Sequence, residues 1–475
     1  DDESQLSGLP ATSIAVAAEE AKTRGKEGKW VFTLHAPSRL PLLQYADNRD
    51  LREKMYKGYT TLASSGEYNN YPVIAEILKA RVEKAKLLGY DNYAAYMTAN
   101  VMAKNVENAE ELLMQIWKPA IARVGEEVAE MQDYYYYAEK VRKDKYNLDE
   151  DEVRQYFHVD SVRNGVFEMA RRLYGVTFTE MPDAPKYDPE VTVYDVKDEA
   201  GNHVAVFMTD YFTRASKRQG AWMSEFKGSG SDYEKVERPV IFNVCNFTHP
   251  TADSPSLLTL DEVETMYHEF GHGLHGMLSR AKYKSQAGTN VDRDFVELPS
   301  QINEHWATEP EVLKMYARHY QTGEVIPDSL IEKILKQKTF NQGFMTTELL
   351  AAAILDMNLH NLTDTKGIDV VAYEKEAMDQ LGLIPEIAPR YRTTYFNHII
   401  GGYAAGYYSY LWANVLDNDA FEAFKEHGIF DKATADLFRR NVLEKGDSED
   451  PMTLYKNFRG SEPQLEPMLK NRGMK

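Results

Sequence analysis

His268-Glu269-Phe270-Gly271-His272 constrains this chain more than any other stretch, because its spacing suits a metal site on a helix. At about 100° per residue, two histidines four positions apart lie roughly 40° apart around the axis, so both imidazoles can reach one ion. A glutamate directly after the first histidine reaches a water at that ion. Thr259-Leu260-Asp261-Glu262 reads as a capping box and predicts a helix from there to about Ser279. On that helix Val263, Met266, Tyr267, Phe270, Leu274, Met277 and Leu278 form one apolar face, with His268, His272 and Glu269 opposite. The plain alternative is an amphipathic helix with a solvated polar face. It leaves Gly271, Gly273 and Gly276 unexplained, since each costs about 1 kcal/mol in a helix interior. Gly276 falls just below Glu269, where the missing side chain is expected to leave room for a ligand.

A catalytic zinc takes three protein ligands and keeps one position open. With two histidines supplied, Asp292, Asp294, Glu297, Glu304 and His305 are candidates for the third, and spacing does not choose among them. A second chemical signal is His398-Ile-Ile-Gly-Gly-Tyr403-Ala-Ala-Gly-Tyr407-Tyr408-Ser-Tyr410. Tyr403, Tyr407 and Tyr410 follow i, i+4, i+7 spacing, which predicts one helical face, and phenols beside a metal can donate to an oxyanion. Tyrosine stripes also serve as core edges with the hydroxyl reaching solvent. Gly401, Gly402 and Gly406 suit a backbone that approaches a substrate closely.

The segment from His268 to Leu278, together with Ser285-Gln-Ala-Gly-Thr-Asn290 and Asp294-Phe-Val-Glu297-Leu-Pro-Ser-Gln301, resembles the thimet oligopeptidase family of zinc peptidases. Gly288-Thr-Asn290 and Gln301 to Thr308 resemble its bacterial peptidyl-dipeptidase (dipeptidyl carboxypeptidase) branch. Trp30 to Leu34, Leu87 to Tyr90, Phe207 to Met223, Ile241 to Asn246 and Tyr391 to Tyr395 extend the likeness along nearly the whole chain.

The resemblance implies a mainly α, large two-lobed helical zincin-like metallopeptidase with a small β-sheet beside a deep central cleft. It implies one Zn²⁺ per chain, held by His268, His272 and Glu297, with Asp294 as a partner behind the ligands. Glu269 is then the general base toward the attacking water, and Tyr410, Tyr403, Tyr407 and His398 are catalytic candidates. The expected activity is release of C-terminal dipeptides from short peptides, with Arg390 and Arg392 available to the substrate's carboxylate. An endo-acting oligopeptidase of the same family and a shortened, non-catalytic peptide-binding form are the alternatives. Gln219-Gly220 stands where a Gly-Gly pair is expected. The family's long N-terminal helical segment is missing ahead of Trp30, so the chain reads as the C-terminal two-thirds of such an enzyme.

A net charge of −19 disfavours nucleic acid and anionic membrane surfaces as partners, and no run of about 18 apolar residues suggests a membrane span. Short peptides are the expected partners of a monomer, in the cytoplasm or, alternatively, the periplasm. Cys245 is the lone cysteine and reads as a small buried residue. Helical periodicity marks 48–64, 71–88, 106–141 and 329–337. Alternating apolar residues mark strands at 191–196, 204–208 and 240–247, the first two joined as a hairpin, and a strand edge beside the cleft could pair with an extended peptide. Tyr134 to Tyr137 read as surface aromatics on a helix. No linker or repeat divides the chain, so residues 1–475 are expected to form a single interwoven unit.

Overall fold

The computed structural model describes residues 2–127, 133–232, 235–251 and 254–475. Helices dominate, and most are positioned by one apolar stripe. Helix α1 (Tyr71–Leu87) opens on Pro72 and buries Ile74, Leu78, Val82 and Ala85. Helix α2 (Val106–Glu127) buries Val106, Ala109, Leu113, Ile116, Trp117, Ala120 and Val124, again at three-to-four spacing. The expected helix over 106–141 is met by α2 and by α3 (Tyr134–Tyr146), and residues 128–132 between them lie outside the described residues. Helices at Arg49–Thr60 and Asp328–Gln337 match their periodicity within a few residues. The tyrosine run departs from its reading as surface aromatics. Tyr134 is buried and its ring stacks on Phe344 at 3.5 Å, because this part of α3 faces a neighbouring helix rather than solvent.

The sheet has five strands: β1 (Thr177–Glu180), β2 (Thr192–Lys197), β3 (His203–Phe212), β4 (Trp222–Lys227) and β5 (Val240–Phe247). Their order is β1-β2-β3-β5-β4. The predicted hairpin is present, with Tyr194 opposite Phe207 in the antiparallel β2–β3 pair. β3 and β5 run parallel with Met208 beside Phe242, and β4 is an antiparallel edge with Met223 opposite Asn243. Cys245 is fully buried in β5.

Helix α4 (Leu260–Leu278) crosses this sheet and contributes Phe270 to an aromatic group with Phe207 and Phe178. Helix α5 (Leu298–Ala307) packs along α4. Together with the sheet they form the first large hydrophobic core, which includes Phe270, Leu274, Leu298, Ile302 and Trp306. A second large core gathers α1, α2, α6 (Gln342–His360) and the segment Ala404–Leu411 that leads into α7 (Ser409–His427). The predicted functional residues lie along the seam between these two cores. Among the described residues no helix is long and apolar enough to cross a membrane.

Candidate metal centre

The helix that carries the motif starts where the sequence indicates. Thr259 Oγ1 accepts from Glu262 N at 3.1 Å and Glu262 Oε2 accepts from Thr259 N at 2.9 Å, closing the capping box. Glu262 also accepts from Thr248 N at 2.8 Å, which ties the helix start to the end of β5. Farther along, Asn243 of β5 donates to the Glu269 carbonyl oxygen at 2.7 Å. The motif is therefore pinned at two levels to the sheet beneath it.

The three glycines serve this packing. A Cβ on Gly276 would lie 2.6 Å from Met223 and 2.8 Å from Ile241, so the space beside it belongs to the sheet and not to a ligand, contrary to expectation. A Cβ on Gly271 would sit 2.3 Å from the Pro299 carbonyl oxygen, which is how closely α5 approaches α4.

That approach delivers the third group. Glu297 is the N-cap of α5, 1 % exposed, and its Oε2 lies 3.0 Å from His272 Nε2 and 3.3 Å from His268 Nε2. His268, His272 and Glu297 are the only His/Cys/Asp/Glu group among the described residues whose ligand atoms converge within 4.8 Å. Ser300 Oγ, one turn on, donates to Glu297 Oε2 at 3.1 Å, and the Tyr403 hydroxyl donates to Oε1. Burial alone would push the Glu297 carboxyl up, but the His272 and His268 imidazoles hold it well below the usual carboxylate range.

This donor set fits a metal cation. His268 Nδ1 lies 2.6 Å from Glu304 Oε1 and its Nε2 3.3 Å from Glu297 Oε2, so a carboxylate oxygen faces the ring at each nitrogen. That setting demands positive charge at Nε2: against the pull of burial, Glu297 and Glu304 favour a second proton on the ring, and a cation can take that proton's place. Two imidazole nitrogens and one carboxylate are the ligand types that catalytic zinc prefers. Beside them, Glu269 is 5 % exposed and its Oε2 has no hydrogen-bond partner. Burial raises its pKa, opposed by the neighbouring imidazoles.

The tyrosines reach the site by a different route from the one their spacing suggests. Residues 401–408 are turns, and the helix begins only at Ser409. Gly401, at φ −89° and ψ −137°, and Ala405, in the left-handed region at φ 52°, interrupt any continuous helix. The rings nonetheless gather: Tyr403 stacks on Tyr410 at 5.2 Å and 13°, and Tyr407 meets Tyr410 at 5.0 Å. His398 lies 5.1 Å from Tyr407 and 5.9 Å from Tyr410. Tyr403 thus touches the triad directly and Tyr410 adjoins it, while Tyr407 and His398 stand behind with no hydrogen bond to the triad. Burial pushes all three phenols upward, so they are neutral donors at ordinary pH.

Asp294 does not stand behind the ligands. It is fully buried and accepts from Met102 N, Ala103 N and the Tyr408 hydroxyl, each at 2.9 Å. Its position before α5 points it toward the second core, and the carboxylate behind His268 of the triad is instead Glu304. Glu304 follows Glu297 by seven positions, two helical turns on the same face, a spacing that the sequence makes visible. Arg293, which precedes Glu297 by four, lies 4.5 Å over the other face of the Tyr403 ring and had no signal of its own. The cradle of Gly402 and Gly406 holds this arginine. Arg392 is paired with Glu374 at 2.6 Å, while Arg390 is exposed and makes no ion pair among the described residues.

A family model described as peptidase family M3 matches residues 42–474. The chain is 41 % identical over 493 residues to the dipeptidyl carboxypeptidase of Escherichia coli (strain K12), covering 100 % of this chain and 72 % of that protein. It is 38 % identical over 498 residues to oligopeptidase A of Salmonella typhimurium, covering 100 % and 73 %. A solved carboxypeptidase structure from Pyrococcus furiosus superposes with a TM-score of 0.52 over 96 % of this chain and 82 % of that one, at 13 % identity.

Proposed function

The chain belongs to peptidase family M3 and is a peptide-hydrolysing metallopeptidase of mainly α, zincin-like fold, and from that premise we propose that it releases C-terminal dipeptides from short peptides at a zinc ion. His268, His272 and Glu297 hold the ion in this reading. The observation that carries it is the convergence of two Nε2 atoms on one buried carboxylate oxygen, with Glu269 next to them on the same helix.

Bound there, zinc would bring the pKa of a water to about 7 and polarise the scissile carbonyl. Glu269 takes the proton of the attacking water. Its burial favours holding that proton until the leaving amine needs it. The amine receives the proton from Glu269 as the C–N bond breaks. Tyr410 and Tyr403 donate to the oxyanion, a contribution of about 3–4 kcal/mol per well-placed donor. The Tyr403 ring is held between Arg293 on one side and Tyr410 on the other, which fixes its hydroxyl beside the triad.

Exo-action is supported by the likeness to a dipeptidyl carboxypeptidase over the whole chain. The likeness to oligopeptidase A favours a second reading, internal cleavage with the same zinc residues. One assay separates them. Zinc-loaded protein is given a peptide with a free C-terminus and the same peptide amidated. Exo-action predicts a loss of at least about tenfold in kcat/KM on amidation, the value of one charge-assisted contact of about 1.5–3 kcal/mol. Equal rates would establish internal cleavage. Glu269→Gln should retain zinc and lose nearly all turnover, and unchanged turnover would remove its role as base.

A further inference from the structure

One buried carboxylate remote from the metal triad has no part in the chemistry above, and everything it touches leads back to the tyrosines. Asp356, near the end of α6, is fully buried. Its Oδ1 accepts from Ala405 N and its Oδ2 from Gly406 N and Tyr407 N, each at 2.9 Å. Three successive amides directed at one anion form a nest, and the left-handed Ala405 within it is the conformation that turns neighbouring N–H groups the same way. Such a conformation is strained for an alanine, so it persists only where partners hold it.

Asp356 is itself held. His360, one turn on, donates from Nδ1 to the Asp356 carbonyl oxygen at 2.8 Å, and the same nitrogen lies 2.8 Å from Asp356 Oδ1, so the imidazole packs against both the backbone and the carboxylate of that residue. The opposite ring nitrogen, Nε2, is 2.8 Å from Arg81 Nη1. A guanidinium cannot accept a hydrogen bond, so Nε2 is the acceptor and Nδ1 carries the proton toward Asp356. Arg81, on α1, also donates to the Ile399 carbonyl oxygen at 2.6 Å, just before the glycines. The line Arg81–His360–Asp356 therefore grips both ends of the turn segment that presents Tyr403 and Tyr410.

We propose that Asp356, backed by His360 and Arg81, is a positioning residue for peptide hydrolysis: it fixes the 403–410 turn so that the Tyr403 and Tyr410 hydroxyls meet the metal triad. The proposal rests on the reading that these two tyrosines act in turnover.

Asp356→Asn keeps the size of the side chain but turns an NH₂ toward the nest. In the full-length, zinc-loaded protein it should lower kcat about 10- to 100-fold, the loss that a misplacement of about 1 Å produces, with KM within about threefold. Deuterium uptake should quicken in peptides covering 403–410 and stay unchanged in α4. On a Tyr403→Phe/Tyr410→Phe background the same change should cost less than about threefold, because nothing remains to be positioned. His360→Gln, a milder perturbation, should reproduce the loop-confined exchange with a loss of about 3- to 10-fold, and it stands in if Asp356→Asn does not fold. Full turnover despite a loosened loop overturns the proposal. So does a loss that multiplies undiminished on the tyrosine-free background, or exchange that rises throughout α4, since either marks a general structural role. If the double tyrosine variant itself turns over normally, the reading of the tyrosines falls and the proposal with it. If that variant is impaired but Asp356→Asn is not, only the positioning role falls.

Discussion

Gly271→Ala should cripple metal binding through backbone geometry alone. The added Cβ would stand 2.3 Å from the Pro299 carbonyl oxygen and 2.6 Å from Ser300 Cα. Carbon atoms rest at about 3.5 Å or more, so α4 and α5 must part by about 1 Å. The neighbours are backbone and cannot rotate away. Overpacking of this kind costs about 3 kcal/mol, offset by about 1 kcal/mol of improved helix propensity, for a net loss of about 2 kcal/mol. The consequence for the metal is larger than for the fold, because the displaced turn carries Glu297 and the Ser300 that orients it. Metal–ligand distances tolerate only about 0.2 Å. Zinc affinity, measured by competition with a chelator, should fall at least about 100-fold. Gly273→Ala is the control on the same helix. Its Cβ would meet only Phe207 at 3.3 Å and Asn243 at 3.4 Å, side chains that can yield slightly. Its zinc affinity and urea midpoint should stay near those of the parent protein. Equal zinc affinity in the two variants would refute the argument that the α4–α5 approach sets the ligand geometry.

Two further outcomes follow from partners described above. Glu304→Gln should weaken zinc binding about 10-fold by taking the charge from His268 Nδ1, whereas Asp294→Asn should lower folding stability by about 1–3 kcal/mol and leave zinc affinity within threefold. Equal zinc effects would show that the two carboxylates were assigned the wrong way round. Acid should also weaken the metal-free fold: His275 is fully buried, and burial pushes its pKa from 6.5 down to about 3. The unfolded chain then binds one more proton than the native one between those values, so stability falls as pH drops below about 6.5, by roughly 2 kcal/mol at pH 5 from this residue. Urea unfolding of the metal-free protein at pH 5 to 7.5 should show this slope, and His275→Phe should flatten it by about one proton's worth. An unchanged slope would mean that His275 is not neutral in the native state.

The residues that proved legible were those whose message is local. Thr259 and Glu262 announce the start of α4, and the spacing of His268 and His272 sets both rings on one side of it. The β2–β3 hairpin follows from alternation and a turn. What the sequence concealed depends on residues far apart in the chain. Helix α6 escaped periodicity because Leu350 to Leu355 is apolar on every side, as suits a helix enclosed all round. Asp356 within it was the overlooked signal, since an acid in so apolar a run needs partners. The tyrosine segment shows the opposite error. Spacing that fits a helix was satisfied by turns, because glycine and a left-handed alanine let the backbone double back and still bring the rings together. Gly276 looked like room for a ligand and proved to be contact with Met223 and Ile241. A wheel gives the direction of a side chain but not what waits there.

The seam between the two large cores has a consequence for when this protein can cut. The imidazoles and their carboxylate ride on one core, and the phenols arrive with the other, about a hundred residues later in the chain. The first core also takes in Leu416, Phe421, Phe438 and Phe458, and the second draws on Ile74 to Ala120, so neither closes until the C-terminal helices have been made. Hydrolytic power therefore comes last, as a property of the finished assembly, and a half-built or partly opened chain is spared from digesting its neighbours.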